Sequence, residues 1–428
     1  MEMTKQLLAA AHDEWERIAP FRAKRLRCKR FTYGDQWGDI VTDRNGQSMR
    51  EGDLIAISGK KPLTNNLIRR LIKTIVGRYR SLTADSRRYN NSAGSIDTLN
   101  ALSELDSRAI EEFLISGCAV QRVVYENRPV HGEGVWIDNV NPTNFFTNDF
   151  RDPRGMDIEM AGMLHDMSLP EVLARFGNND RKRMEWLRGI YGTVDPMMAA
   201  ITGDEIEFFT ARNGRCRVIE LWTLEAIENN TRRHTSIEFK WRCRWLSPSG
   251  DLLTTYLAPN GTHPFVIKYY PLTDGEVHPF VEDVIDQQRY INRLIVLIDR
   301  MMSASAKGVL LFPIDQKCNG FSWDDICQRW SAADGVIPIS GRSATLPQQV
   351  TGSGADAGAH KLLELELKLF EDVSGVSDAL LGKSTSGNVG NAMYESQIAN
   401  STIALADIFE TFNSFTAQRD ALAKSLLN

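Results

Sequence analysis

Residues 283–312, DVIDQQRYINRLIVLIDRMMSASAKGVLLF, form a long helical pattern that breaks at Lys307-Gly308 and turns at once into a strand-like run. Val284, Ile285, Ile291, Leu294, Ile295, Ile298, Met301 and Met302 recur at three- and four-residue steps, which gathers them on one helix face. Asp286, Gln287, Arg289, Asn292, Arg293, Asp299 and Arg300 occupy the rest, so the spacing predicts a helix with one wet or polar-partnered side. As one helix, residues 283–306 would span about 36 Å at about 1.5 Å per residue. That suits a strut. A second helical pattern covers residues 360–380, and the stretch between the two reads as a small β-containing excursion.

A chain of 428 residues has room for two or three domains and a real core. Its 42% hydrophobic and 25% charged content is that of a folded, water-soluble protein. The apolar runs fall far short of the roughly 20 residues of a membrane span, and the acidic, amphipathic N-terminus lacks a secretory h-region. Neither a transmembrane helix nor a signal peptide is expected. Cys28, Cys118, Cys216, Cys243, Cys318 and Cys327 are scattered without a C-x-x-C pair, which argues for reduced thiols over a zinc ribbon or a disulfide framework. The net charge of -5 hides an asymmetry: residues 1–90 carry 19 Lys+Arg against 10 Asp+Glu, and the remainder is acidic. The basic end suits nucleic acid or an acidic partner.

Residues 3–30 read as one helix that Pro20 should kink or restart. Its Arg22, Lys24, Arg25, Arg27, Lys29 and Arg30 are either a docking patch or a solvated face. An aromatic loop with Gly34 and Trp37 follows, then an amphipathic helix from Pro62 ending near Gly77, and a third helix over residues 96–116 closed by Gly117. Residues 118–125 read as a strand. Ser168-Leu-Pro-Glu171 is a capping box opening a helix that Gly177 closes, and helix signals weaken after Met184. Between Arg217 and Tyr270, short alternating runs separated by Asn-Asn, Pro-Ser-Gly and Pro-Asn-Gly predict a small antiparallel sheet. GVLLFP and GVIPIS read as strands flanking a helical WDDICQRW, residues 351–360 as a flexible linker, 381–390 as a Gly/Ser-rich loop and 391–427 as a final helix.

No constellation announces catalysis. Gly382-Lys383-Ser384 resembles the end of a phosphate-binding loop, yet Ser377 stands where the first glycine belongs and a helical pattern precedes it. The glycines of residues 352–358 lack a βαβ context, no H-x-x-x-H pair exists, and no G-x-S-x-G elbow surrounds any serine. Asp324-Asp325 and Asp204-Glu205 would serve a two-metal nuclease only with other carboxylates converging in space. No catalytic residue, metal site or cofactor is expected.

Taken in order, several short pieces resemble the portal proteins of tailed double-stranded DNA bacteriophages, of the short-tailed phage type. They are Phe31 with Gly34-Asp35-Gln36-Trp37; Pro62 with Asn65-Asn66; Val140-Asn141-Pro142 with Asn144-Phe145-Phe146; Met167-Ser168; Glu220-Leu221-Trp222; His263-Pro264-Phe265; and Asp274-Gly275. Asp286-Gln287 with Asn292, and Leu381-Gly382 with Ser386-Gly387-Asn388, are the strongest. The resemblance implies an α+β portal fold with a helical stem, a mixed α/β wing holding a small antiparallel sheet, and a small α/β clip. On that division residues 1–282 are the wing, with N-terminal helices over 1–116 and a β-rich part over 118–270. Residues 283–306 are the inbound stem helix, 307–350 the clip and 351–380 a linker and outbound stem helix. Residues 381–390 become the tunnel loop and 391–428 a helix leading toward a crown, although family members commonly continue further.

The family further implies a homo-oligomeric ring, usually a dodecamer, at a capsid vertex of the virion. Such a ring is a conduit for packaging and ejecting double-stranded DNA without sequence specificity, and it docks the major capsid protein, the terminase large subunit and a head-tail adaptor. Lys383, Ser384, Thr385, Ser386 and Asn388 would face DNA from the tunnel loop; Gln287, Asn292, Leu294 and Ile298 would pack the stem; Asp315, Lys317, Asp324, Asp325 and Arg329 would meet motor or adaptor on the clip. Residues 351–428 carry 5 Lys+Arg and 10 Asp+Glu, a balance that repels phosphates as a sliding channel requires. A metal-dependent nucleic-acid processing enzyme using the basic N-terminal region, and another ring-shaped head-to-tail connector, are the competing readings.

Overall fold

The computed structural model describes every residue except 1, 44, 58, 90–95, 129, 193–205, 212–213, 231–234, 306–308, 319, 332–335, 341–345, 351–354, 377–402 and 428. Among the described residues, helices account for 51% and strands for 24%. All described strand pairs are antiparallel, which makes this an α+β protein rather than a βαβ one. The chain divides into two compact units. Unit 1 comprises Met1–Tyr33, Ile68–Asp283 and Gly375–Asn428; unit 2 comprises Gly34–Leu67 and Val284–Ser374.

Unit 1 begins with α1 (Glu2–Arg17) and α2 (Ala19–Tyr33), the break falling where Pro20 demands a new first turn. Its main sheet runs in the order β5 (Phe145–Thr147), β6 (Met160–Met167), β7 (Cys216–Asn230), β8 (Thr235–Leu246) and β9 (Leu252–Leu257). Strand periodicity sends Ile219 and Leu221 of β7 to one face, where Leu8, Ala11 and Trp15 of α1 cover them with Phe146 and Phe208. Val218 and Trp222 point to the other face, beneath α7 (Leu169–Phe176) and α8 (Arg181–Tyr191). Cys118, Val120 and Phe265 of the second sheet join that core; its order is β10 (Phe265–Tyr269), β3 (Cys118–Arg128), β4 (Gly132–Asn139). Gly162 pairs with Phe146 across β5 and β6, and a Cβ there would lie 2.2 Å from the Phe146 ring. Glycine is what lets that ring fold over the sheet.

Glu220 lies between Val218 and Trp222 on the covered face and is wholly buried. Arg122 Nε and Nη2 donate to it at 3.1 and 3.3 Å, the His165 ring nitrogen at 2.8 Å and Trp222 Nε1 at 2.9 Å. Burial works against its charge, but Arg122 and then His165 outweigh it and hold the carboxyl at about 2. His165 is pushed down by burial despite that neighbour. The remaining helices of unit 1 are α4 (Leu67–Tyr89), α5 (Ile96–Asn100), α6 (Leu102–Ser116) and a C-terminal helix, Ala406–Ser425, whose Phe412 meets Phe113 and Tyr79 and whose Arg419 pairs with buried Asp106.

The capping box at Ser168 and Glu171 forms as the sequence requires, and Gly117 closes α6 at φ 68°. Four expectations are corrected. Helix α4 starts at Leu67 rather than Pro62 and passes through Gly77, whose cost of about 1 kcal/mol relative to alanine the buried Ile68, Ile72 and Ile75 offset. Residues 96–116 are two helices, because Ala101 adopts φ 49°. Helix α8 was not foreseen; Asp180 caps it and Leu187 and Tyr191 anchor it. The strand run at Phe265 leaves the main sheet to pair with β3.

The basic run of α2 is largely turned inward. Arg25 is 5% exposed and bonds Glu112 with two nitrogens at 2.6 and 2.8 Å. Arg22 stacks over Trp15 at 3.4 Å, and Lys24 lies 3.0 Å from Glu282. Neither the docking patch nor the solvated face describes it.

Unit 2 holds a short hairpin, β1 (Ile40–Thr42) with β2 (Ser48–Arg50), then α3 (Glu51–Ile57). It also holds most of α9 (Phe280–Ser305), then β11 (Val309–Leu311), α10 (Trp323–Ser331), β12 (Gln348–Val350) and α11 (Ala355–Ser374). The expected strand GVIPIS contributes only a bridge from Ile339 to Lys317; the partner of β11 is β12. Helix already starts at Ala355, inside the expected linker, and ends at Gly375, whose φ of 65° stops it short of residue 380.

Candidate functional site

The most elaborate polar construction of unit 2 lies along α9. Val284, Ile285, Ile291, Leu294 and Ile298 are buried, as their spacing requires, and Gln288 and Asn292 lie buried on the same side, 0% and 1% exposed. An amide at such a place must find partners for both its ends. Gln288 Nε2 donates to Asn65 O at 2.7 Å, and its Oε1 accepts from Leu67 N at 2.8 Å. Asn292 Oδ1 accepts from Asn65 N at 3.1 Å, while its Nδ2 donates to Gln36 Oε1 at 2.6 Å. Gln36 Nε2 passes the chain on to Asn66 at 3.1 Å. These bonds satisfy the free backbone groups around Asn65 and Leu67, which is why α4 starts there. Beside the amides, Arg289 donates to Glu51 at 2.9 and 2.7 Å, Arg293 bonds the other carboxylate oxygen, and Lys60 reaches Asp299 at 2.7 Å. The segment Gly34–Leu67 is thus clamped onto α9 within this unit.

The excursion after α9 is closed by its own short-range bonds. Ser322 N and Oγ donate to the Asp325 carboxylate at 2.8 and 2.7 Å, and Asp325 N donates back to Ser322 Oγ at 3.0 Å, a reciprocal cap opening α10. Those donors, the backbone N–H of Ser322 first, hold the Asp325 carboxyl below its ordinary pKa. Lys317 sits 5.1 Å over the Trp323 ring, and Arg329 stacks 4.8 Å over Phe321 while donating to Val336 O at 3.1 Å. Asp315 and Asp324 are exposed, and among the described residues their carboxylates make no hydrogen bond or ion pair.

The residues singled out from sequence therefore divide. Asn292, Leu294 and Ile298 are buried, and Gln287 is half-buried with a carbonyl oxygen that finds no donor among the described residues. Asn292, placed on the wet side by its spacing, is instead spent inside the unit; its partners Asn65 and Gln36 stand more than 220 positions away, which no local pattern reveals. Gln288 and Glu51 were missed for the same reason, and Gln36 was singled out only within the resembling run, without its partner. Asp325, Lys317 and Arg329 serve the local architecture of the excursion. Cys327 is exposed and Cys318 half-buried, and all six cysteines are free. Lys383, Ser384, Thr385, Ser386 and Asn388 lie outside the described residues.

Among the described residues no three His, Cys, Asp or Glu side chains gather to hold a metal ion, and no helix is long and apolar enough to cross a membrane. The model of the phage P22-like portal protein family matches residues 8–418, and the chain belongs to that family. No curated protein matches it.

Proposed function

We propose that the chain assembles into a dodecameric ring at one capsid vertex, through which double-stranded DNA is packaged and ejected. The family match over residues 8–418 carries this reading. The order long helix, α/β excursion, second helix within unit 2 supports it. On this reading α9 and α11 are the inbound and outbound stem helices, residues 307–350 the clip, unit 1 chiefly the wing, and residues 381–390 a tunnel loop. The exposed Asp315 and Asp324 then offer the clip's free charge to the terminase large subunit or the head-tail adaptor, and Lys383 with Ser384, Thr385, Ser386 and Asn388 touches DNA.

Negative-stain imaging with light scattering of the purified protein tests the proposal. Closed rings with a central channel are expected. A monomer that never assembles, even with scaffolding and capsid protein present, would sink it. In a packaging assay Lys383→Ala should alter DNA retention or translocation, and unchanged values would remove the tunnel-loop assignment.

A further inference from the structure

The face of α4 opposite its buried side carries charge that unit 1 does not use. Ile68, Leu71, Ile72, Ile75 and Tyr79 are at most 4% exposed and set the inner side. At about 100° per residue, Arg70, Lys73, Gly77, Arg80, Ser81 and Ala84 all fall within one arc of roughly 100° on the outer side. Each of the six is exposed. Arg70, Lys73 and Arg80 make no ion pair or side-chain hydrogen bond among the described residues. This contrasts with Arg69 one position away, which pairs with Glu111 and stacks over Tyr33. The other three members of the arc are small. A Cβ added at Gly77 would meet nothing within 4 Å, so the ground between the cations is open. From Leu67 to Tyr89 the sequence contains one carboxylate, Asp85, against seven arginines and lysines.

We propose that this face binds the sugar-phosphate backbone of double-stranded DNA, independently of base sequence. Arg70 to Arg80 cover about 15 Å of helix at 1.5 Å per residue, a length over which a duplex presents roughly nine phosphate charges. Point charges separated by small residues let a phosphodiester backbone approach closely and hold it without reading bases. An acidic protein partner fits less well, because protein interfaces centre on aromatic and other apolar side chains, and this arc exposes none. The inference rests on the portal reading for the presence of DNA. It adds a gripping surface on the basic N-terminal part, apart from the acidic residues 351–428 that would repel phosphates.

The test is a titration of the full-length protein with a fluorescein-labelled duplex of arbitrary sequence over a range of salt, read by anisotropy. Wild type is compared with Arg70→Gln/Lys73→Gln/Arg80→Gln, with a charge-keeping Arg70→Lys/Arg80→Lys variant, and with a Lys182→Gln/Arg188→Gln control on α8. At about 0.9 per phosphate contact, the triple variant should lower the slope of log K against log salt by about 3 per engaged subunit, and weaken binding roughly 100-fold at 0.15 M salt. The lysine variant and the control should keep the wild-type slope. A triple variant with unchanged slope and affinity overturns the proposal. Unchanged thermal unfolding and ring counts in the same preparations place any loss on this face. Wild-type protein that forms no rings breaks the portal reading, and the DNA titration still decides this one.

Discussion

Two carboxylates, one in each unit, gather arginines in different surroundings. Glu220 of β7 is wholly buried; its cation Arg122 is 7% exposed, and its other donors come from β6 and β7. It therefore ties the three-stranded sheet, through Arg122 of β3, to the five-stranded one. Glu51, the first residue of α3, is 6% exposed, but its cations Arg289 and Arg293 are 21% and 46% exposed. In the sheet the charges have given up water on both sides, so each is committed to the other. At α3 the cations keep part of their water, so opening the contact strands only the Glu51 carboxylate and not its partners. Burial of the partner, more than the count of bonds, decides how much a pair contributes.

The largest expected effect is on the sheet. Glu220→Ala leaves Arg122 buried and uncompensated, which costs about 3–5 kcal/mol. Urea unfolding should show it, while replacing Glu220 and Arg122 together by methionine and leucine should cost less than either alone. The contrast between the carboxylates fails if Glu220→Ala is no worse than Glu51→Ala.

Acid separates them next. The Glu220 carboxyl is depressed to about 2, so its contribution is complete above the unfolded carboxylate range near 4.5 and is lost as pH falls from there through about 2. That contribution is on the order of 3 kcal/mol. His263, pushed by burial down to about 4 while its Nδ1 accepts from Phe265 N, adds an earlier loss between about 6.5 and 4, because the unfolded chain takes up the proton first. Chemical unfolding across pH should show stability declining in both windows. His263→Gln should shrink the upper loss, leaving the part that His165 contributes, and Glu220→Gln should shrink the lower. A profile unchanged by both substitutions would show that neither site is linked to folding.

Much of this contrast could not be read from sequence. The spacing of Val284, Ile285, Ile291 and Leu294 reveals α9 because a helix repeats within four residues, and the Ser168-Glu171 cap and the Gly117 stop are equally local. Glu220 shares a strand face with Val218 and Trp222, so its burial depends on what covers that face. The cover comes from β3 and from α7 and α8, at sequence distances that periodicity does not sense. The same limit hid Gln288 and the partner of Gln36: a polar residue among apolar ones signals a partner without naming it. Gly77 misled in the other direction, since a glycine stops a helix only where tertiary packing does not carry it through.

Smaller than these, and confined to unit 2, is the effect expected in the amide chain. Asn292→Ala deprives Gln36 Oε1 and Asn65 N of their partners and should cost about 1–3 kcal/mol. Hydrogen exchange of the Asn65–Leu67 amides should quicken, with exchange in β7 unchanged. Quickened exchange in both places would mean the clamp is no independent element.

The smallest change expected is at Glu51, where the comparison is sharpened most. Glu51→Gln keeps the volume and an acceptor oxygen for Arg289, and it removes the charge from a pair whose cations are partly in water. Its cost should be about 1 kcal/mol or less. Because Arg293 is more exposed than Arg289, Arg293→Ala should lose less than Arg289→Ala. Salt provides the discriminating measurement. At about 1 M the screening length is near 3 Å, so exchange protection of α3 should fall toward that of Glu51→Gln in high salt, while the protection that Glu220 gives β7 should hold. Equal salt sensitivity at the two sites would mean that exposure of the cations does not set the strength of these pairs.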